Sequence, residues 1–198
     1  MTLRLWLAAV ALMALPCLAL AQAPPRVPAP DTHAPTGLTF PPMIANAKKV
    51  ASTDYGKSGG RPDLGYSWNY GTPGLLSATV YVYNFGVPAI PSAAGNPVVR
   101  AQFEQAYSDI QQMAKYNRYQ DLKIVKGPED CPVGAMVFRC ITLSATTMTD
   151  KKRVFTALML SGYRGYFLKL RLDWLENSAT SEAVVGRFVQ TLVGAIVR

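Results

Sequence analysis

Tyr166-Phe167-Leu168-Lys169-Leu170-Arg171-Leu172 decides the fold class. Tyr166, Leu168, Leu170 and Leu172 alternate with Phe167, Lys169 and Arg171, and a period of two marks a β-strand with one buried face. Upstream of it, Arg153 to Leu160, Met136 to Leu143 and Leu122 to Lys126 read as further strands. Downstream, Ser178 is placed to cap a helix that carries Glu182 early and Arg198 at its end. Val185, Phe188, Val189, Leu192 and Ile196 fall on one side of that helix.

The preceding part of the chain repeats the theme. Ala47 to Thr53 predicts a first short strand, followed by a glycine-rich turn from Gly56 to Gly60. Leu64 to Tyr70 and Leu75 to Tyr83 predict two strands joined by the turn Gly71-Thr72-Pro73-Gly74. In the second of these, Val80 and Val82 share one face and Tyr81 and Tyr83 the other. Gly86 to Gly95, with Pro88 and Pro91, reads as a loop. Asn96-Pro97 starts a helix to about Tyr116, because Asn caps free amides and Pro at the first position loses no needed donor. Val99, Phe103, Ala106, Ile110 and Met113 form its apolar stripe. Two helices with a single stripe must dock on something, and a largely antiparallel sheet of about six to seven strands offers the matching face. The fold class is therefore α+β, in one domain over residues 44–198.

The chain starts differently. Residues 1–21 combine Arg4, an apolar run from Leu5 to Leu20 and the small residues of Ala19-Leu20-Ala21, the pattern of a signal peptide cleaved after Ala21. That predicts a periplasmic or secreted protein with no transmembrane segment once the signal is removed. A lipid anchor at Cys17 does not fit, because Ala14 and Pro16 stand where a lipobox wants Leu and a small residue. Pro24, Pro25, Pro28, Pro30, Pro35, Pro41 and Pro42 then make residues 22–43 read as a disordered, proline-rich lead.

Hydrophobic residues at 49% and charged residues at 16% suffice for a core. The formal net charge is +8, or +7 once residues 1–21, with their single basic residue, are removed. Such a balance favours anionic partners. The basic residues are scattered rather than run together, so nucleic acid is not the expected partner. Cys131 and Cys140 survive maturation, and an even pair in an oxidising compartment predicts a disulfide.

Asp54-Tyr55-Gly56-Lys57, Leu64-Gly65-Tyr66-Ser67 and Ala78-Thr79-Val80-Tyr81-Val82-Tyr83 resemble a family of uncharacterised exported bacterial proteins. The order of elements resembles the wider PsbP-like group of small exported α/β sandwiches. The resemblance implies a fold and an accessory binding role. It carries no catalytic residues.

Chemistry is sparse. Ala51 to Ser58 fits a relaxed phosphate-loop pattern, but Gly59-Gly60-Arg61-Pro62 is a poor helix start. His33 is the only histidine and lies in the lead, which leaves a serine or cysteine nucleophile without a positioned base and leaves no metal set. Carboxylate pairs remain, notably Asp173 with Glu176 around Trp174, which suit either glycoside chemistry or, as the favoured reading, a polar lead into the last helix. Lys169 and Arg171 project from one strand face. With Arg139, Arg153 and Phe167 they make the candidate basic and aromatic patch for an anionic ligand or an envelope protein. The expectation is an exported binding or accessory protein, not an enzyme, with no cofactor and no metal. The alternatives are a small hydrolase using carboxylates and an inhibitor or immunity protein for a secreted enzyme.

Overall fold

Alternation and turn chemistry set the elements of the computed structural model, which describes residues 28–29, 31–116 and 119–196. The predicted signal peptide, its cleavage point and Cys17 lie outside the described residues. A small hairpin comes first, β1 (Thr32–His33) and β2 (Leu38–Thr39). Then follow β3 (Met43–Ile44), β4 (Ala47–Asp54), the one-turn helix α1 (Tyr55–Gly59) and a 3-10 turn at Pro62–Leu64. β5 (Tyr66–Thr72) and β6 (Leu76–Tyr83) precede helix α2 (Pro97–Lys115). Four long strands, β7 (Tyr119–Val133), β8 (Met136–Thr147), β9 (Arg153–Tyr163) and β10 (Tyr166–Leu175), lead to helix α3 (Ala179–Ile196).

The fold is α+β. One antiparallel sheet holds eight strands in the order β3-β4-β5-β6-β10-β9-β8-β7, rather than the predicted six to seven, and β1 and β2 form a separate pair. Two meanders meet at its centre, where β6 pairs with β10. After β6 the chain passes through α2 to the far edge, starts again at β7, and works back to β10. Asn96 caps α2 by accepting a hydrogen bond from the Val98 amide at 2.9 Å. Ser178 does the same for α3, accepting from Ser181 at 3.2 Å.

This path decides what covers each face. Helix α2 reaches the sheet at β7 and β9, where Val99, Phe103, Ala106 and Ile110 bury against Ile141, Leu143, Leu158, Leu160 and Phe167. Met113, the predicted end of the stripe, stays exposed. Helix α3 returns over the opposite face, where Val185, Phe188, Val189 and Leu192 join Trp68, Tyr70, Val80, Val82, Leu168, Leu170 and Leu172.

The lead is packed from residue 31 onward, not a tether. Phe40 stacks on Trp68 with ring centroids 3.6 Å apart. Tyr70 donates its hydroxyl hydrogen to the Pro41 carbonyl at 2.9 Å, and Arg164 donates to the Thr36 carbonyl at 2.9 Å. Proline removes amide donors, yet it leaves Leu38 and Phe40 free to bury apolar area, and that burial holds the segment. His33, expected in a flexible tail, is buried edge-on against Tyr66 and Tyr166, with Nδ1 2.7 Å from the Thr36 hydroxyl.

The predicted disulfide is absent, and both Cys131 and Cys140 are free thiols. Register explains it. Cys131 pairs across the ladder with Phe138 and Cys140 with Glu129, so the two thiols are diagonal neighbours on one face. A diagonal offset does not set the two sulfurs face to face, and they stay near neighbours that are not at bonding distance. Burial in the apolar layer, then the neighbouring Cys131, push the Cys140 thiol well above its ordinary value.

Candidate functional site

Because α2 packs chiefly on the β7–β9 side and meets β6 and β10 at Tyr83 and Phe167, the rest of the same face over β4, β5, β6 and β10 is flanked only by the short α1 and the 3-10 turn. Register aligns its side chains in rows across the strands. Lys169 stands opposite Tyr81, which stands opposite Ser67, and Ser67 is opposite Thr53. One step along, Arg171 is opposite Thr79, and Thr79 is opposite Asn69. The next row carries Asp173, Thr156 and Ser77. A strand pattern that puts Leu168, Leu170 and Leu172 into the core thus delivers two cations and a carboxylate to the other side.

Lys169 is the centre of this face. Its ammonium lies 4.3 Å from the Tyr81 ring centroid and 5.2 Å from that of Tyr83. Among the described residues it makes no ion pair and no hydrogen bond, and its contacts are with ring faces. Burial, then the positive charge of Arg171, pull its pKa down from 10.5 to about 8, with Asp109 of α2 opposing. Lys169 is one wall of a cavity of about 200 Å³ completed by Tyr55, Leu64, Tyr81, Tyr83 and Phe85. Burial also raises the pKa of Tyr81 and Tyr83.

Two local devices hold this rim. Gly65 has φ of +62°, and a Cβ there would sit 2.0 Å from the Val82 carbonyl oxygen, so only glycine lets the 3-10 turn lie against β6. Tyr55 is fixed by its hydroxyl, 3.2 Å from that of Ser67.

Arg171 continues the site. Its Nη2 donates to the Thr156 hydroxyl at 3.3 Å, while its buried Nε has no hydrogen-bond partner in the protein. The Asn69 side-chain oxygen, two strands away in the same row, is likewise buried without one. Tyr119, at the start of β7, reaches over to donate to Asp173 at 3.3 Å. The face therefore holds unspent donor capacity next to an unpaired ammonium, a combination that costs free energy unless something polar or anionic approaches.

The five residues singled out from sequence do not form one patch. Lys169 and Arg171 lie together. Arg139 is in the row of Lys169, two strands over with Leu160 between, but it is engaged by Asp130 at 3.2 Å and lies over the Phe103 ring. Phe167 is buried beneath α2 against Tyr83. Arg153, at the start of β9, is paired with Glu176 at 2.7 Å. Asp173 and Glu176 thus have separate partners, Tyr119 and Arg153, and do not face a common space as a carboxylate dyad would need.

The phosphate-loop pattern is also accounted for. Asp54 accepts the Lys57 amide hydrogen at 3.0 Å, its carboxylate is 3.7 Å from the Lys57 ammonium, and α1 is a single turn. The carboxylate takes the place at these donors that a phosphate would need.

Tyr55, Leu64 and Phe85 belong to the site and were not anticipated. Their signal was only their position in turns flanking β5 and β6. Among the described residues, no group of three or more His, Cys, Asp or Glu could hold a metal, and no helix is long and apolar enough to cross a membrane. No family model matches the chain, and no curated protein matches it.

Proposed function

We propose that this is an exported binding protein whose site is the Lys169 pocket and whose ligand is a small anion carrying an apolar or aromatic group. One observation carries the reading: a lysine ammonium with no carboxylate partner, set in an aromatic cavity beside an arginine with an unused donor. Tyrosine rings supply apolar contact and hold the cation by its charge, while Lys169 and Arg171 supply the counter-charge. The cavity suits a ligand about the size of one ring, since a cavity of about 150 Å³ accommodates benzene. The N-terminal pattern of residues 1–21 supports export, and the resemblance to the PsbP-like group supports an accessory rather than a catalytic role.

Calorimetric titration of the mature chain with benzoate and with inorganic phosphate tests this. Benzoate is expected to bind, more weakly as salt rises, and to lose about tenfold or more in affinity in Lys169→Met and in Arg171→Gln. Failure of benzoate to bind, or an affinity in either variant equal to that of wild type, overturns the reading.

A further inference from the structure

Lys169 has the surroundings of a nucleophilic amine as well as those of a counter-ion. We propose that Lys169 captures small aldehydes in the aromatic pocket as a reversible imine, making carbonyl compounds a ligand class of this site. The inference rests on the reading of this pocket as a ligand site, and adds a covalent step to it.

Three features of the geometry support it. The Nζ atom is held against the Tyr81 and Tyr83 rings at the wall of a cavity large enough for one ring. No carboxylate pairs with it among the described residues, so the protonated form is favoured only by the Tyr81 and Tyr83 ring faces and the more distant Asp109. Arg171, two positions along the same strand face, adds a second positive charge, and such a neighbour favours loss of the lysine proton. The charged groups bearing on Nζ are Arg171 from β10 and Asp109 from α2. Its pKa of about 8 means that a useful fraction of the amine is neutral near pH 7.5.

The step balances without a further reagent. The Nζ lone pair attacks the aldehyde carbon, forming a C–N bond while the carbonyl π pair moves to oxygen, which takes up a proton. One proton leaves nitrogen to give the neutral carbinolamine. Its hydroxyl takes up a second proton and departs as water while the nitrogen lone pair forms the C=N bond, and the iminium can return that second proton from nitrogen. Carbon and nitrogen are neither oxidised nor reduced overall, and hydrolysis returns the starting amine.

The test treats the folded mature chain with benzaldehyde at pH 7.5, traps imines with cyanoborohydride, and maps every modified lysine by mass spectrometry. Lys169 is expected to be benzylated at least about tenfold faster than the exposed Lys48 and Lys123. Modification of Lys169 no faster than these overturns the proposal. The benzoate titration separates this from the binding reading. Benzoate binding without selective trapping sinks only the carbonyl step. Selective trapping without benzoate binding upholds the carbonyl step and sinks anion recognition. Prior benzoate is expected to slow trapping at Lys169 and leave Lys48 unaffected.

Discussion

The two faces of β10 are built from neighbouring residues and do opposite work. Leu168, Leu170 and Leu172 are essentially inaccessible beneath α3, whereas Lys169, Arg171 and Asp173 remain half-buried on the other side. The first face is closed by a helix and by the packed lead. The second is closed by α2 over β7–β9 and at Tyr83 and Phe167, leaving the stretch of the β6–β10 junction around Lys169 and Arg171 without a long helix packed on it. The covered face carries stability, and the uncovered one is free to keep groups that stability does not favour.

Substitutions on the covered face should have the largest effects. Phe188→Ala or Leu170→Ala is expected to cost about 2–5 kcal/mol in urea unfolding, since both side chains are fully buried and leave a cavity. Phe40→Ala should approach the same range, because it removes the ring stacked on Trp68. A cost below about 1 kcal/mol for Phe40→Ala would return the lead to the status of a tether.

Gly162 offers an intermediate case. A Cβ there would sit 1.8 Å from the Pro91 carbonyl oxygen, so Gly162→Ala must lift the 86–95 loop from β9. Destabilisation of about 1–3 kcal/mol is expected, read from the urea midpoint.

His33 gives the covered side a pH signature. Burial lowers its pKa from 6.5 to about 4, so the folded state holds it neutral. The unfolded chain binds the extra proton between those values, and stability is therefore lost as pH falls from about 6.5 to about 4. The loss should be of order 1–3 kcal/mol and absent from His33→Gln. Parallel pH profiles for the two proteins would contradict the burial of His33.

How much of this was legible follows from the range of the signals. Alternation of faces located β6 and β10, the Gly71-Thr72-Pro73-Gly74 turn signal placed β5 beside β6, and the Asn96-Pro97 and Ser178 signals located both helix starts. The sequence predicts a strand only over Leu122 to Lys126, and β7 continues through Pro128 and Pro132. It runs on to Val133 because it is the sheet edge, where a missing amide is tolerated, and its register shifts absorb the irregularity. The site was half legible. The parity of Lys169 with Arg171, and of Tyr81 with Tyr83, was on the page, but their meeting depends on β6 pairing with β10 across some 80 intervening residues. No local pattern encodes a pairing of that range. The disulfide expectation failed for a related reason, since a two-residue register offset cannot be seen in the spacing of Cys131 and Cys140.

The smallest stability effects are expected on the uncovered face. Lys169 has a lowered pKa, so the unfolded chain binds more protons between about pH 8 and 10.5, and wild-type stability rises across that window. Lys169→Met removes the cost of burying the ammonium along with its contacts to Tyr81 and Tyr83. Its stability at pH 7 should equal or slightly exceed that of wild type, with the gap closing as pH rises above 8.

The most direct measurement is urea unfolding of wild type and Lys169→Met at pH 7, each with and without saturating benzoate. A ligand that binds only the folded state raises the midpoint by linkage. Benzoate is expected to raise the midpoint of wild type, and Lys169→Met is expected to show an unliganded midpoint at or above that of wild type that benzoate does not move. A variant destabilised by more than about 2 kcal/mol, or one that benzoate stabilises as much as wild type, would show that Lys169 serves the fold and not a ligand.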